Sequence, residues 1–245
     1  MDIRKNVTLL SRNNHKTIKG EKLGYVTYIL YMSPHKQNSK GINLCPHASV
    51  GCSKACLFNS GFGGMYNRVE QGRINKSEWF LSNRVSFMRK LDSEIAAAIN
   101  RHKDKAVVTF RLNGTSDIRW EKIKVRDNKN IFELYPDVQF YDYTKNHLRF
   151  NIELPKNYHL TFSRSESNND MAIKLLKRGY NVAMVFSGKL PEKYLGYDVI
   201  NGDNDDLRFL DGKNVIVGLS YKYNTGKGSE VNNKFAVSSG FVISV

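Results

Sequence analysis

Apolar and aromatic residues in this chain gather in short runs separated by polar stretches, a pattern that predicts strands alternating with helices or loops. The segment GYVTYILYMSP (24–34) is β-branched and aromatic and is broken at Pro34, so it predicts a first strand. Similar runs predict further strands over residues 106–114, 137–144, 158–166, 181–187, 198–202 and 214–221. The tail FAVSSGFVISV predicts a terminal strand or hairpin.

Other segments carry the spacing of helices. Apolar residues recur every three to four positions from Asn75 to about Arg101, which predicts two helices. Residues 169–179 (NDMAIKLLKRG) begin with polar residues and stop at a glycine, which predicts another helix. A helix is also expected to end at the Tyr135-Pro136 pair, whereas KTIKGEK (16–22) predicts a turn.

This order of elements favours an α/β protein with a parallel sheet. Six or seven strands separated by helices or loops of helical length imply a complete or partial (β/α) barrel. A long loop that carries all the cysteines of the chain, called the cysteine loop below, follows the first strand. A doubly wound open sheet is the alternative. No repeat or linker divides the chain, so residues 1–245 are expected to form a single domain, with a basic part over 1–105 and the remaining βα units over 106–245.

Composition and charge narrow the classes of function. Hydrophobic residues make up 40% of the 245 residues, which excludes a disordered chain. No apolar run reaches the ~18 residues of a membrane span, and the polar start is no signal peptide, so we expect no membrane partner and a place in the cytoplasm of a bacterial host. The formal net charge is +15, of which +11 lies in residues 1–105, and this excess predicts a nucleic acid partner.

The cysteines Cys45, Cys52 and Cys56 are the only three in the chain and fall within twelve residues. With no export signal, this spacing favours a metal site over disulfides. Three thiolates can hold a [4Fe–4S] cluster that leaves one iron open, or they can hold zinc together with a histidine, for which His47 is the nearest candidate. Reduced thiols with packing roles are the remaining alternative.

Polar residues stand at the carboxyl end of nearly every predicted strand, where βα proteins place their chemistry. Carboxylates there suit general acid–base catalysis, tyrosines suit stacking on a base, and arginine or lysine suits phosphate binding. A helix that follows the cysteine loop adds two arginines suited to nucleic acid phosphates. The predicted catalytic residues are Asp117, Glu166, Tyr143 and Lys145, the cofactor-binding residues Asn113, Ser116 and Arg164, and the nucleic-acid-binding residues Arg68 and Arg73.

A cysteine loop directly after the first strand of a βα barrel resembles the layout of the radical S-adenosylmethionine enzymes. That resemblance implies a [4Fe–4S] cluster on Cys45, Cys52 and Cys56 and S-adenosylmethionine bound near residues 113–117. The spacing differs: this chain has C-x6-C-x3-C where the superfamily has C-x3-C-x2-C, and Ala55 stands where the superfamily has an aromatic residue.

Much of the chain, over roughly residues 16–225, resembles a family of bacteriophage proteins of the gene-product-88 type. The segments that carry this resemblance include LCPHASVGCSKACL, TFRLNGTSDIRWE, VQFYDYTK, YHLTFSRSES and NGDNDDLRFLD. It implies a phage or prophage source, and no reaction comes with it.

Three functions follow from these features. The first is a metal-dependent enzyme of the radical S-adenosylmethionine type that acts on nucleic acid or a nucleotide. The second is a zinc-containing DNA-binding protein of phage replication. A rolling-circle initiator of this class would pair a nucleophilic tyrosine, for which Tyr141 and Tyr143 are available, with a His-x-His metal site, and no His-x-His occurs in the sequence. The third is a transglycosylase-like enzyme that exchanges a base, with Asp117 or Asp142 as its catalytic carboxylate.

Overall fold

A mostly parallel sheet of ten strands forms the centre of the computed structural model, which describes residues 7–12, 14–56, 67–223 and 229–245. Eight of the strands are mutually parallel, and the two outermost strands are antiparallel to their neighbours. The strands of this sheet are β1 (Leu10–Ser11), β2 (Tyr25–Leu30), β3 (Val107–Arg111), β6 (Gln139–Thr144), β7 (Tyr158–Ser163), β8 (Val182–Ser187), β9 (Lys193–Tyr194), β10 (Tyr197–Asn201), β11 (Ile216–Ser220) and β12 (Val242–Ser244). A separate two-stranded hairpin is formed by β4 (Lys124–Arg126) and β5 (Lys129–Asn130).

Seven helices are described between these strands, and three 3₁₀ turns accompany them. The helices are α1 (His15–Glu21), α2 (Val50–Lys54), α3 (Asn67–Ser82), α4 (Arg84–His102), α5 (Ile131–Leu134), α6 (Asn169–Lys177) and α7 (Ser229–Ser238). The 3₁₀ turns span Trp120–Lys122, His147–Asn151 and Arg208–Leu210. None of the described helices combines the length and the apolar composition that crossing a membrane requires.

The parallel strands follow one another in nearly the order of the chain. The sheet runs β1-β2-β3-β6-β7-β8-β11-β10-β9, so only β10 and β11 are exchanged. This sequential order differs from a doubly wound sheet, whose order reverses at an inner strand. The strands described do not close into a barrel, because β1 and β9 are edges. The fold is therefore an open α/β sheet, and the prediction of a complete barrel is not met.

Strand β8 is shared between two partners on the same side. Its first residues pair with β7, through Phe162↔Val182 and Ser163↔Ala183. Its later residues pair instead with β12, from Val242↔Val185 to Ser244↔Ser187. The last strand of the chain therefore fills the place that β7 leaves at the carboxyl edge of the sheet.

The two faces of the sheet differ because side chains alternate along a strand. One face carries large apolar residues, such as Phe110, Phe140 and Phe162, which are buried in the same core as the apolar residues of α4 and α6. Each such side chain contributes about 1.5–3 kcal/mol on full burial. The other face carries polar residues, among them Thr27 and Thr109, whose hydroxyls hydrogen-bond to each other at 2.9 Å. The strands thus hold a hydrophobic core on one side and a polar layer on the other.

The two predicted helices around residues 75–101 are confirmed, and the first begins earlier than expected. Asn83 separates α3 from α4, and its side chain accepts a hydrogen bond from the Ser86 N–H at 3.0 Å, which caps α4.

Of the predictions at the two ends of the chain, the one at the start is wrong and the one for the tail is confirmed in part. Residues 16–22 lie largely in α1, where the Thr17 N–H donates to the Asn14 side chain at 2.9 Å and so helps to start a helix in place of the expected turn. The tail forms α7 before β12, so the predicted strand or hairpin accounts only for its last residues. Helix α7 was missed because it buries only one residue, Ala236, and therefore leaves little apolar periodicity.

A buried carboxylate lies on the apolar face of the sheet. Asp142 of β6 accepts hydrogen bonds from the Asn113 backbone N–H at 2.8 Å and from the Tyr158 hydroxyl at 2.9 Å. The same hydroxyl accepts a hydrogen bond from Arg149 at 3.0 Å. Burial raises the pKa of Asp142 to about 6, although the positive charges of Arg111 and Arg149 and these hydrogen bonds act in the opposite direction.

This raised pKa predicts a pH dependence of stability. Asp142 supports folding below about pH 4, and its contribution is lost as the pH rises through about 6, since folding then has to bury a charge. Between these limits wild type should lose about 3 kcal/mol of unfolding free energy relative to Asp142→Asn. Urea denaturation across the pH range measures this difference. Asp137→Asn, at an exposed site, is the control, and its unfolding free energy should follow the same pH dependence as that of wild type. The prediction is wrong if Asp142→Asn also shows the pH dependence of wild type.

Candidate functional site

The three cysteines lie in and around α2, in the segment between β2 and α3. Ser49 caps this short helix: its hydroxyl accepts a hydrogen bond from the Cys52 N–H at 3.1 Å. The thiol of Cys45 donates to the Thr115 carbonyl oxygen at 3.5 Å, which brings it against the loop that follows β3. The cysteine segment therefore contacts the carboxyl end of the parallel strand β3.

The three thiols share one electrostatic neighbourhood. Burial raises the pKa of Cys45 to about 12; a backbone hydrogen bond from His35 acts in the opposite direction, and electrostatic interactions with Cys56, Asp117 and Cys52 act in the same direction as burial. None of the three forms a disulfide in the described part of the chain. An uncoordinated Cys45 therefore stays a protonated thiol at neutral pH.

A closed set of metal ligands is not preformed. Within the residues that the structure describes, no group of three histidine, cysteine, aspartate or glutamate side chains has the geometry to hold a metal ion. The donor chemistry suits a soft metal or an iron–sulfur cluster, but the thiols would have to draw together around it. The metal-binding role of Cys45, Cys52 and Cys56 stays a prediction.

Glu166 anchors the start of the cysteine helix. Its carboxylate accepts one hydrogen bond from the Ser49 hydroxyl and one from the Gly51 N–H, each at 2.7 Å. A carboxylate at the first turn of a helix satisfies N–H groups that have no partner within the helix. Glu166, a predicted acid–base residue, thus ties α2 to the loop after β7.

Asp117 joins the loops after β3 and β6. Its carboxylate accepts hydrogen bonds from the Thr144 hydroxyl at 2.8 Å and the Lys145 N–H at 3.0 Å, and it pairs with Arg149 at 3.4 Å. Its own N–H donates to the carbonyl of Leu44, the residue before Cys45, at 2.9 Å. The predicted catalytic carboxylate therefore lies beside the cysteines with its oxygens already engaged.

The predicted cofactor residues Asn113 and Ser116 hold their own loop together. The side-chain oxygen Oδ1 of Asn113 accepts hydrogen bonds from the Ser116 hydroxyl at 2.9 Å, the Ile118 N–H at 2.8 Å and the Trp120 indole N–H at 3.1 Å. Asn113 is 3% exposed and Ser116 is 8% exposed. Their side chains thus stabilise the loop after β3 and are not exposed towards a ligand.

Two cations stand at the ends of β6 and β7. The ammonium of Lys145 donates to the Ser163 hydroxyl at 2.5 Å and lies 5.7 Å from the ring centroid of Phe241. Arg164 donates to the carbonyls of Gly240 and Phe241 and so fixes the approach to β12. Lys145 is therefore suited to an anionic ligand, whereas Arg164 is occupied by the backbone.

The two arginines of α3 lie in different surroundings. Arg68 is exposed on the helix surface. Burial lowers the pKa of Arg73, while electrostatic interactions with Tyr31 and Cys56 act in the opposite direction, and its guanidinium lies 5.0 Å from the centroid of the Tyr31 ring. Arg73 thus belongs to the surroundings of the cysteines, and Arg68 to the outer surface.

Tyr143 lies in a charged network on the polar face of the sheet that sequence reasoning did not assemble. Arg111 lies 5.0 Å from the centroid of the Tyr143 ring and pairs with Asp206 at 2.6 Å. Arg208 pairs with Asp205 at 2.9 Å and with Asp211 at 3.2 Å. The acidic run NGDNDD before Arg208 is the sequence feature that could have indicated this network. Its partner Arg111, however, lies almost a hundred residues earlier in the chain.

The fold and the site together define an α/β protein with a cysteine segment at the carboxyl edge of an open, mostly parallel sheet. Residues 8–243 match the family model of gene product 88. The chain therefore belongs to the gene product 88 family, a family of phage gene products. No curated protein and no solved structure matches it.

The packing around α2 predicts that Gly51 tolerates no side chain. A Cβ at this position would lie 2.6 Å from Cβ of Phe241 and 2.9 Å from the Glu166 carboxylate. Gly51→Ala should therefore destabilise the protein by about 1–3 kcal/mol. Gly72→Ala is the matched control, because a Cβ on Gly72 in α3 meets no atom within 4 Å. Thermal unfolding compares the two; equal melting temperatures would show that α2 is not packed in this way.

Proposed function

We propose that this chain is a metal-dependent enzyme of a bacteriophage, which acts on nucleic acid or a nucleotide in the cytoplasm of its host. The observation that carries the proposal is the position of Cys45, Cys52 and Cys56. Cys52 and Cys56 act electrostatically on Cys45, whose thiol lies at the carboxyl edge of a parallel sheet, the place where such sheets bind ligands.

The chemistry of the donors supports a metal. Cys45 is held as a neutral thiol by burial, and a bound cation reverses this, because a coordinating thiol loses its proton outright. Cys52 and Cys56 would complete a set of three thiolates. Such a set suits a [4Fe–4S] cluster with one open iron, and zinc with a fourth ligand is the alternative.

An iron–sulfur cluster here would supply an electron and an open iron for a small molecule such as S-adenosylmethionine. The residues of the chain have separate tasks around it. Glu166 fixes α2 by accepting two hydrogen bonds, and Asp117 fixes the preceding loop through Leu44. Lys145 presents its ammonium beside Ser163, where it can bind an anionic group of the substrate.

A polyanionic substrate is supported by charge. The formal net charge is +15, and most of the excess lies in residues 1–105, which include the cysteines. Arg68 projects from α3 on the outer surface. Contacts of this kind release counterions from nucleic acid, so binding should weaken steeply with salt.

Metal analysis tests the proposed centre. Protein purified without oxygen should contain iron and sulfide and absorb broadly near about 400 nm. Replacing any one cysteine by serine should reduce the metal content to background, because each removes a ligand. Ser53→Ala in the same helix is the matched control and should keep the metal. Zinc without sulfide would favour the zinc-containing DNA-binding protein, and no metal in any preparation would refute the centre.

Nucleic acid binding is tested by its salt dependence. The slope of log K against log salt concentration should fall by about 0.9 in Arg68→Gln if this arginine contacts one phosphate of double-stranded DNA. Lys193→Gln is the control, since Lys193 lies at the far edge of the sheet and pairs with Asp198 at 3.5 Å. Fluorescence anisotropy at several salt concentrations measures both slopes. An unchanged slope for Arg68→Gln would show that Arg68 does not contact a phosphate.

A further inference from the structure

Residues 203–211 cross the polar face of the sheet. The ring of Phe209 lies 5.5 Å from that of Tyr25 in β2 and 5.3 Å from that of Tyr141 in β6. Asp206 of the same segment pairs with Arg111 of β3 at 2.6 Å. The segment therefore covers three adjacent parallel strands.

Several buried polar atoms where this segment meets the sheet have no hydrogen-bond partner in the described part of the chain. Four of them are the Tyr143 hydroxyl, Nε2 of His159, the Thr161 hydroxyl and Nε of Arg208. The others are Nε of Arg111, Nη1 of Arg208 and Oδ2 of Asp211, which belong to the groups of the ion pairs. Tyr143 and Thr161 are directly opposite each other in β6 and β7. His159 lies on the same face of the sheet, two residues before Thr161 in β7. Arg208 acts electrostatically on both Tyr143 and His159, so all four atoms belong to one cluster.

This cluster opposes folding as it stands. A buried polar group without a partner destabilises the fold, because it gives up its hydrogen bonds to water, whereas an apolar residue of the same shape has no such penalty. Valine in place of Thr161 and phenylalanine in place of Tyr143 would fill the same space. Local conflicts with stability of this kind are expected where a protein binds a ligand.

The charges of the cluster restrict the class of ligand. Arg111 is neutralised by Asp206, and Arg208 by Asp205 and Asp211, so no free charge is left for an anion. The hydroxyls can donate or accept, and Arg208 can only donate. Burial lowers the pKa of His159, which keeps the imidazole neutral and able to accept or donate. The rings of Tyr141 and Phe209 lie alongside.

We propose that the polar face beneath residues 203–211 is a binding site for a nucleobase, whose polar edge is held by Tyr143, His159, Thr161 and Arg208. An uncharged planar ring with both donors and acceptors on its edge matches these groups, and aromatic neighbours suit its faces. The proposal rests on the proposed function in taking the ligand to be part of a nucleic acid or nucleotide. Because the four atoms are buried, the base reaches them only when the Phe209 side chain shifts, while Asp206 and Arg208 keep their ion pairs.

The test uses the full chain and adenosine, guanosine, cytidine, thymidine and uridine as probes in calorimetric titrations. Thr161→Val and Tyr143→Phe should each melt at a higher temperature than wild type without nucleoside, because each removes an unpaired buried group. Both should bind the preferred nucleoside at least about tenfold more weakly, the effect of losing one hydrogen bond of about 1.4 kcal/mol.

The matched control is Thr109→Val on the same face of the sheet. The Thr109 hydroxyl is paired with Thr27, so this variant should melt at a lower temperature and keep its affinity for the nucleoside. The proposal is wrong if no nucleoside binds to wild type, or if the affinity survives both Thr161→Val and Tyr143→Phe. The titrations need no metal, so they are repeated with Cys45→Ser: loss of metal with retained binding separates this site from the proposed metal centre.

Discussion

The hydrogen bond between the Asp142 carboxylate and the backbone of Asn113 is the contact on which the arrangement of the site depends. It fixes the loop after β3 to β6 from within the apolar core, and the same loop carries Asp117. Asp117 in turn holds Leu44, which precedes Cys45. A buried charge is expensive, and one that is held by several donors admits few alternative arrangements. The position of the cysteine loop is therefore specified from beneath by a polar contact, while the apolar residues around it supply the stability.

The opposite face of the sheet handles buried charge differently. There Arg111 and Arg208 are neutralised by aspartates of residues 203–211, so the pairs join two segments that are distant in sequence. Breaking such a pair leaves one charge buried alone, which makes each partner necessary to the other. The two faces together explain how a chain with a large excess of positive charge keeps its interior balanced: the excess lies on its surface and the buried arginines have carboxylate partners.

Much of the sheet was predictable from sequence, because its strands are short runs rich in β-branched and aromatic residues, bounded by polar stretches. The runs that contain β2, β7 and β8 each gave a strand close to its observed bounds. The function of single polar residues was less predictable. Glu166 bonds to a helix more than a hundred residues earlier in the chain, and nothing local to YHLTFSRSE indicates that partner. Asn113 lies where a cofactor residue was expected, yet its partners are its own loop and Asp142. The sequence pattern indicates a polar edge of the sheet, but not which side chains contact each other across it.

The packing of α2 has a consequence for the order in which the protein matures. The cysteine helix rests on α7, and Gly51 lies against Phe241, so its neighbours leave the ribosome long after the cysteines do. Contacts between such distant segments form late in folding. During synthesis the thiols therefore remain on an unsupported segment until the final strand docks beside β8.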